Sequence, residues 1–415
     1  AFDEVARLPL PGDNVAIAVQ RLEAGSEIRC GTESFRLGHT VMEGHRFAVE
    51  AIEPGDDLLS WELPFGRAVA PIAPGDYACN QGMLDALGGR SIDFALPTAP
   101  NFADHIEAYH FAEESFSPGV QVEGEARART FSGYRRAGDR GVGTRNYIVV
   151  LGTSSRTSSF ARELAARFAD MEKTGIDGVV AIAHTEGGGG ERPNNEEYLL
   201  RTLAGFVVHP NVGAVLAVDY GAEAVDNRIL QEYMVRNDYP LQHVPHYFMS
   251  IEGGFERHLL EGEQWIRNRL EEVGAERRDE PLAHLRLALQ CGGSDAFSGI
   301  SGNPLASWVA REIVRGGGSA NLAETDELIG AEPYVLQNVR DADTARRFLM
   351  MVERFKERVA WHGESCEGNP SGGNKFRGLY NIVLKSIGAA MKRHPQVRLD
   401  YCIDYGEPMR QGGYY

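Results

Sequence analysis

The stretch Gln290–Pro304 reads QCGGSDAFSGISGNP and lies between two segments of different hydrophobic periodicity. The alternating run His284–Leu289 before it predicts a strand, and the spacing of apolar residues in Leu305–Val314 after it predicts a helix. A glycine-rich turn between a strand and a helix presents backbone N–H groups beside a helix N-terminus, where an anion can bind. We therefore expect a binding loop at the carboxyl end of a strand.

The same loop carries side chains that can take part in chemistry. It contains a thiol, two hydroxyls and a carboxylate, from Cys291, Ser294, Ser298 and Asp295. The alternative is a tight turn whose glycines only provide unusual backbone angles. Because a turn seldom requires these three kinds of side chain so close together, we favour a functional loop.

The composition is that of a globular protein and limits the classes of partner. The chain has 415 residues, 43% hydrophobic and 24% charged, a length that predicts two or three domains. The formal net charge of −17 argues against binding to nucleic acid or to an anionic membrane surface, and no stretch has the length of a transmembrane helix. The five cysteines are scattered and form no CxxC pair, so we expect a cytoplasmic protein without a disulfide framework or a zinc ribbon.

The first ninety residues differ in style from the rest of the chain. One local pattern, an apolar residue, a spacer, Ala or Pro and then Gly, occurs at Leu22–Gly25, Ile52–Gly55 and Ile72–Gly75. Short β-like runs flank these turns, which predicts a small all-β domain over residues 1–90. Residues 91–138, interrupted by prolines, are predicted to form a connector that lies against a surface.

From residue 139 to residue 415 the hydrophobic pattern alternates between strands and helices. Apolar runs predict strands at Tyr147–Leu151, Gly178–Ala183, Val212–Val218, Val244–Met249, Leu285–Leu289 and Ala320–Ala323. This alternation predicts an α/β catalytic region with mostly parallel sheets and helices on both faces, divided into two subdomains near residue 275. The polar loops that follow the strands would then gather at the carboxyl ends of the sheet, where active sites form in such folds.

Two further loops contain a positively charged side chain, and each lies just before a predicted strand or helix. Arg145, in Gly141–Asn146, suits bidentate capture of a carboxylate, and a surface arginine that caps a loop is the alternative. Asn369–Lys375 precedes a predicted helix at Leu379–Met391 but lacks the Gly-Lys-[Ser/Thr] ending of a nucleotide-binding loop. The dinucleotide fingerprint is also absent, so no nucleotide cofactor is expected.

Four motifs, in order along the chain, resemble the altronate/galactarate dehydratase family of sugar-acid hydro-lyases. These motifs are Gly141–Ile148 (GVGTRNYI), His209–Ala214 (HPNVGA), Gln290–Ile300 (QCGGSDAFSGI) and Asn369–Lys375 (NPSGGNK). In addition, Asp13–Ala16 and Gly44–Ala48 resemble the SAF-type β-clip domain that precedes the catalytic region in that family. The resemblance covers almost the whole chain. It implies a divalent metal ion, usually iron, and removal of water from a polyhydroxy acid to give a 2-keto-3-deoxy acid.

The chain departs from the family pattern at several positions. Asp76–Asn80 replaces the histidine-bearing end of the β-clip domain, only glycines follow His184 where relatives have Gly-Cys-Gly, and Ala222 replaces a family cysteine. Relatives continue past Gln411–Tyr415, so we expect that their C-terminal segment is absent here. Cys291 is then the only thiol in a site motif, and an iron–sulfur cluster, which needs about four cysteines, is not expected.

Dehydration of a 2,3-dihydroxy acid requires a base, an acid and groups that hold the developing negative charge. Arg145 and Lys375 can hold carboxylate oxygens, and the loop N–H groups can form an anion site. The candidates for base, acid and metal ligand are His45, His184 and Asp295, and the sequence does not distribute these roles. The prediction names catalytic residues His45, Asp295 and Lys375, substrate-binding residues Arg145, Gly292, Gly293, Ser294, Asn303 and Asn374, and metal ligands His184 and Cys291.

The expected metal site is mononuclear. One thiolate with histidine and carboxylate partners is a harder ligand set than several thiolates, so we expect a labile divalent ion, Fe²⁺ first and Mn²⁺ or Mg²⁺ otherwise. The alternative for Cys291 is a buried, small apolar residue below the loop that binds nothing. If His45 belongs to the site, the β domain has to close over the catalytic region like a lid.

Two other functions are compatible with the sequence. The scaffold could eliminate sulfite from a sulfonated hydroxy acid, as a sulfo-lyase. It could also be a non-catalytic sugar-acid-binding protein in which the replaced cysteines mark a lost metal site, but Arg145, Asp295 and Lys375 argue against this. The expected partner is a small sugar acid, with no nucleic acid and no membrane, and we expect a homo-oligomer, a dimer first.

Overall fold

The computed structural model of the protein describes residues 1–31, 33–171, 174–323, 325–409 and 412–415. These residues form two compact units, each built from segments that are distant in the sequence. The first unit comprises Ala1–Gly124, Arg286–Cys402 and Gly412–Tyr415, and the second comprises Glu125–Leu285 and Ile403–Gln411. The predicted domain limits near residues 90, 138 and 275 stay predictions. The two compact units are defined by contacts between residues, and each contains segments from distant parts of the chain.

The N-terminal part of the first unit consists of short antiparallel strands. Its elements are α1 (Phe2–Val5), β1 (Ala6–Arg7), β2 (Val15–Ala18), β3 (Glu27–Cys30), β4 (Glu33–Arg36), β5 (Arg46–Ala48), β6 (Asp57–Ser60), β7 (Leu63–Ala68), α2 (Gln81–Gly88) and β8 (Phe102–Ala103). They form small sheets in the orders β1-β2-β5, β3-β4 and β6-β7-β8. The predicted turns are present, and at Gly75 (φ +92°) an added Cβ would lie 2.3 Å from the carbonyl oxygen of Arg36, so this turn requires glycine. The predicted all-β domain is confirmed.

The second unit is built on a parallel sheet with helices on each face. Its elements are β9 (Thr130–Arg135), β10 (Val142–Gly143), β11 (Tyr147–Gly152), α3 (Ser158–Ala166), β12 (Gly178–Ile182), α4 (Glu196–Val208), β13 (Val212–Asp219), α5 (Asn227–Arg236), β14 (His246–Ser250), α6 (Phe255–Glu272) and β15 (Arg278–Pro281). The main sheet has the order β12-β11-β13-β14, with every pairing parallel. β13 is buried along its whole length, because two separate apolar clusters cover the two faces. The predicted α/β class is confirmed, and α4, which the sequence analysis did not predict, completes the alternation.

The C-terminal part of the first unit contains a second, smaller parallel sheet. Its elements are β16 (Arg286–Leu289), α7 (Gly302–Arg315), β17 (Ser319–Leu322), α8 (Glu332–Leu336), α9 (Ala342–Ala360), α10 (Gly372–Phe376), α11 (Ile382–Ala390) and β18 (Gly413–Tyr414). The sheet has the order β16-β17-β18. β16 and β17 correspond to two predicted strands, but they pair with β18 in a sheet separate from the main sheet of the second unit. The sequence did not predict this, because periodicity identifies a strand without identifying its neighbours. The predicted strand–loop–helix order from β16 to α7 is confirmed.

The long helices are amphipathic. In α9, which has 19 residues, Ala345, Phe348, Met351 and Val352 are buried at successive intervals of three, three and one residues, whereas charged residues cover the opposite face. Across the described ranges of the chain, no helix combines the length and the apolar character that crossing a membrane requires.

The N-terminal strands of the first unit are in close contact with the segment before α11. The Arg46 N–H donates to the Tyr380 hydroxyl at 2.7 Å, and the Arg46 guanidinium donates to the Gly378 carbonyl oxygen at 2.9 Å. Gly378 has φ +85°, and an added Cβ there would lie 2.0 Å from the carbonyl oxygen of Gly44. Only glycine therefore fits at residue 378 without displacing the turn at Gly44.

Replacing Gly378 by alanine should destabilise the protein by more than the cost of a positive φ alone. A non-glycine residue in the left-handed region costs about 1–2 kcal/mol, and the added methyl group also meets the Gly44 carbonyl oxygen. Gly363→Ala is the matched control, because Gly363 has φ +74° and nothing lies within 4 Å of an added Cβ. In urea unfolding, Gly378→Ala should lose at least about 1 kcal/mol more than the control. Equal losses would show that the close approach carries no cost.

Candidate active site

A pocket in the first unit is formed around the Gln290–Asn303 loop. Its other walls are one side of α11, at Lys385, Gly388 and Ala389, and the side chain of Trp61 from the turn between β6 and β7. The pocket lies at the carboxyl end of β16, where the strand–loop–helix pattern predicts it. The N-terminal β domain thus contributes to the pocket through Trp61.

Asp295 is positioned by the loop itself. Its Oδ1 atom accepts hydrogen bonds from the Ser298 N–H at 2.8 Å and from the Ser298 hydroxyl at 3.0 Å. Its Oδ2 atom has no hydrogen-bond partner among the described residues. The carboxylate therefore has a fixed orientation and one available oxygen, which is what a general base requires.

The two asparagines that were predicted to bind substrate use their amide groups to hold the loop. The Asn374 amide donates to the Ser294 carbonyl oxygen at 2.8 Å, and the Asn303 amide donates to the Gly388 carbonyl oxygen at 2.8 Å. These bonds attach the loop to the segment around α10 and to α11. Asn303 also lines the pocket, whereas Asn374 supports the loop without lining it.

The glycines of the loop leave backbone donors open. Within the described part of the chain, the N–H groups of Gly292, Gly293 and Ser294 donate no hydrogen bond. An added Cβ at Gly292 or Gly293 would meet no atom within 4 Å, so nothing packs closely over these positions. Consecutive free N–H groups on an exposed turn form a site for an anion, or for an oxyanion that develops during a reaction.

Cys291 also lines this pocket. Its sulfur lies 2.9 Å from the Ser294 hydroxyl oxygen, and the residue is partly exposed. Cys291 is therefore only partly buried, unlike the buried apolar residue of the alternative interpretation, and it lies in the pocket wall.

Two lysines in the pocket wall were missed by the sequence analysis. Lys385 in α11 and Lys392 in the turn after it lie seven residues apart, and both line the pocket. Lys385 is 8% exposed and donates to the Glu327 carboxylate at 2.5 Å and to the Asn369 amide oxygen at 3.1 Å. Lys392 is 4% exposed, and its ammonium group has no partner among the described residues. The available signal was a pair of lysines in IVLKSIGAAMK, a segment otherwise too apolar to face solvent.

The other two predicted catalytic residues of the first unit do not line the pocket. Lys375 lies beside α2, with its Nζ 3.0 Å from a Cβ added at Gly82, and has no hydrogen-bond or ion-pair partner in the described ranges. His45 is fully buried. Its Nε2–H donates to the Phe376 carbonyl oxygen at 3.0 Å, and the Tyr77 hydroxyl donates to its Nδ1 at 2.8 Å. Burial lowers the pKa of His45 to about 4, so the ring is neutral near pH 7.

The remaining predicted residues belong to the second unit. His184 follows β12, and its Nε2–H donates to the Gly152 carbonyl oxygen at 3.0 Å while its Nδ1 accepts from the Glu186 N–H at 3.2 Å. Burial lowers the pKa of His184, which favours the neutral ring. Arg145 is exposed, and its guanidinium donates to the Thr144 carbonyl oxygen at 2.9 Å.

The predicted metal ligands do not form a metal site in this arrangement. Among the described residues, no group of three or more His, Cys, Asp or Glu side chains is placed to hold an ion. Both ring nitrogens of His184 are engaged, and the sulfur of Cys291 contacts a hydroxyl. The donor set of each unit, taken by itself, therefore does not fit a divalent ion.

Known families match the chain over three consecutive segments. Residues 9–83 match the altronate/galactarate dehydratase SAF domain, residues 133–274 the second domain of D-galactarate dehydratase/altronate hydrolase, and residues 282–415 the C-terminal domain of D-galactarate/altronate dehydratase. Altronate dehydratase of Escherichia coli is 31% identical over 413 residues, which cover 97% of this chain and 76% of that protein. The chain belongs to the altronate/galactarate dehydratase family.

Membership of this family makes the chain a dehydratase, that is, a carbon–oxygen lyase, and confirms the resemblance found in its motifs. Galactarate dehydratase (L-threo-forming) of Escherichia coli is 26% identical over 425 residues, which cover 97% of this chain and 75% of that protein. The (2R)-sulfolactate sulfo-lyase subunit beta of Chromohalobacter salexigens is 27% identical over 291 residues, which cover 68% of this chain and 69% of that protein. The dehydratases therefore match nearly the whole of this family member, and the sulfo-lyase subunit matches a smaller part.

The neutral, buried His45 should make this dehydratase less stable in acid. The pKa of His45 is about 4 in the folded protein against an ordinary 6.5, so the unfolded chain binds the proton more readily. The resulting stability is complete above pH 6.5 and is lost as the pH falls towards 4, by about 3 kcal/mol in total. His45→Gln should flatten this part of the curve of unfolding free energy against pH, measured by urea unfolding. Parallel curves for the two proteins would contradict the assignment.

Proposed function

We propose that the protein removes water from a sugar acid, an aldonic or aldaric acid, and forms a 2-keto-3-deoxy acid in the pocket around the Gln290–Asn303 loop. One observation carries the proposal: the same loop holds a carboxylate with a free oxygen, at Asp295, and free N–H groups at Gly292–Ser294. A base and an oxyanion site are two of the three things that this elimination requires, and the third is an acid for the departing hydroxyl.

The proposed reaction begins at the carbon next to the carboxylate. The Oδ2 atom of Asp295 accepts the proton from this carbon, and the electron pair moves towards the carboxylate, whose oxygens gain negative charge. The loop N–H groups donate to these oxygens and stabilise that charge. The electron pair then forms the C2–C3 double bond, while the C3 hydroxyl takes up a proton from solvent in the pocket and leaves as water, and Asp295 returns its proton to solvent. The remaining enol tautomerises to the 2-keto-3-deoxy acid.

Two of the other predicted residues receive proposed roles. Lys375, with its unpaired ammonium group, is proposed to hold a substrate oxygen. Arg145, in the second unit, stays a carboxylate-binding residue predicted from the sequence. His45 is proposed to position the segment at Phe376, because both of its ring nitrogens are engaged and the ring lies outside the pocket. His184 and Cys291 stay predictions from the sequence as metal ligands, because the donor set that the described residues of each unit offer does not fit a divalent ion.

Two alternatives are less well supported. Elimination of sulfite from a sulfonated hydroxy acid uses the same base and oxyanion site, and the named sulfo-lyase subunit matches 68% of the chain. The dehydratases match 97% of it, including the region of the β domain that carries Trp61, so dehydration is preferred. A non-catalytic sugar-acid-binding protein would not need a carboxylate oriented with one free oxygen, as Asp295 is.

The sequence also motivates proposals about the state of the protein in the cell. We propose a cytoplasmic protein, because the cysteines of the chain are scattered and form no CxxC pair. We also propose the homo-oligomer, a dimer first, that the sequence analysis expects. Sedimentation of the purified protein measures the oligomeric state directly, and a monomer at micromolar concentration would exclude the dimer.

Asp295→Asn should lower the turnover number for the sugar acid by about 10²-fold or more, since the amide cannot accept the proton. The amide oxygen can still accept from Ser298, so the loop should keep its shape. Asp56→Asn is the matched control, because Asp56 also holds a turn through its carboxylate, accepting from the Glu53 N–H, and is exposed. C5 and C6 aldonic and aldaric acids would be screened, with semicarbazide detection of the 2-keto product. Near-wild-type turnover by Asp295→Asn would remove this residue from the mechanism.

We also propose that the enzyme depends on a labile divalent ion, Fe²⁺ first and Mn²⁺ or Mg²⁺ otherwise, a proposal that rests on the family resemblance. Elemental analysis of anaerobically purified protein should find about one such ion per chain and no sulfide. Cys291→Ser should lower the metal content if the thiolate is a ligand. Full turnover in the presence of a chelator, by protein free of metal, would overturn the dependence.

A further inference from the structure

Lys392 is a cation that the first unit buries without giving it a partner. The residue is 4% exposed and lines the pocket, and its ammonium group forms no hydrogen bond or ion pair with the described residues. Its backbone, in contrast, is fixed: the N–H donates to the Ala389 carbonyl oxygen at 3.1 Å, and the Lys392 carbonyl oxygen accepts from the Tyr414 hydroxyl at 3.1 Å. The position of the side chain is therefore set by its surroundings, and its charge is left open to the pocket.

Burying an unpaired charge lowers the stability of a folded protein. Other buried cations of this unit have partners: Arg46 donates to the Gly378 carbonyl oxygen, Arg393 donates to three carbonyl oxygens, and Lys385 pairs with Glu327. The comparison of Lys392 with Lys385 is the most informative, because both lysines line the same pocket. Because Glu327 neutralises Lys385, the cation in the pocket wall that can balance a bound anion is Lys392.

Lys392 shares the pocket with Asp295 but does not form an ion pair with it. A cation and a carboxylate that line one pocket without joining are both available to a ligand in it. A 2-hydroxy acid fits that arrangement, since its carboxylate is bonded to the carbon from which a base would remove the proton. The free N–H groups of Gly292–Ser294 lie in the same pocket wall and can donate to the same carboxylate oxygens.

We propose that Lys392 binds the carboxylate group next to the reacting carbon of the substrate, an assignment that rests on the proposed function and deepens it. The contact makes Lys392 a specificity-determining residue: it selects acids over the corresponding neutral alditols. The negative charge on the carboxylate oxygens grows as the proton leaves, so the ammonium group stabilises the transition state more than the bound substrate.

The test compares Lys392→Met with Lys356→Met in the full-length chain. Methionine keeps the length and apolar body of the side chain and removes the charge, and Lys356 is an exposed lysine paired with Glu353, whose loss should have little effect. The probes are C5 and C6 aldonates and the matching alditols, and binding is measured by calorimetry and by the ligand-induced shift of the melting temperature. The melting temperature without ligand is the second readout.

For Lys392→Met we expect ~10–100-fold weaker aldonate binding, the scale of a lost charged hydrogen bond, and an unchanged or higher melting temperature without ligand. Alditols should bind neither protein, and Lys356→Met should behave as wild type. A variant that binds aldonates as tightly as wild type, or one that melts several degrees lower because the lysine is structural, would overturn the proposal. Absence of aldonate binding by the wild-type protein would also overturn it.

Turnover separates this proposal from the proposed function. Aldonate binding that depends on Lys392, without release of a 2-keto acid, would support the carboxylate site and exclude dehydration of the tested acids. Turnover that does not depend on Lys392 would leave the dehydratase in place and exclude the site. A fall in kcat/KM with a smaller fall in aldonate affinity would support the stronger contact in the transition state.

Discussion

The first unit depends on the burial of one cation, the guanidinium of Arg46. This group is fully buried, and burial lowers its pKa to about 10, so it stays charged at neutral pH. It donates to the Gly378 carbonyl oxygen and lies over the aromatic rings of Phe65 and Tyr380, at 5.7 and 6.0 Å from their centroids. Because these partners come from the N-terminal strands and from the segment before α11, separating the two would leave a buried charge without compensation.

The same segment continues to the active loop. The Ala296 N–H donates to the Arg377 carbonyl oxygen at 3.1 Å, next to the peptide that Arg46 holds. The loop is therefore supported from behind by the β domain, through backbone contacts that allow no side chain at Gly378. A lid-like opening of that domain would break these contacts, so they favour a fixed support, with His45 as a part of the junction.

The features of the fold that were predicted correctly are those that depend on the local sequence pattern. The fully apolar run in β13 is visible in the sequence because burial on two faces restricts the residue types directly. In the glycine-rich turn before α7, a Cβ added at Gly299 would lie 2.7 Å from the Trp61 ring, so close packing restricts the residue type there. The partners of polar side chains are decided by tertiary packing instead. Asn374 was predicted to bind substrate but bonds a carbonyl oxygen of the loop, and Lys392, which the sequence analysis did not single out, lines the pocket.

The polar groups of this pocket fall into two classes, those that hydrogen-bond to one another and those that have an open donor or acceptor. Glu327 and Lys385 satisfy each other, and Asn303 satisfies a carbonyl oxygen, so these groups gain little from a ligand. Asp295 Oδ2, the loop N–H groups and Lys392 have no hydrogen-bond partner among the described residues, so they remain available to a ligand. In the proposed reaction these groups would bind the ligand most strongly when its charge is highest, at the transition state of proton removal. A pocket that is polar, rigidly held and incompletely bonded therefore supports the elimination reaction proposed for it.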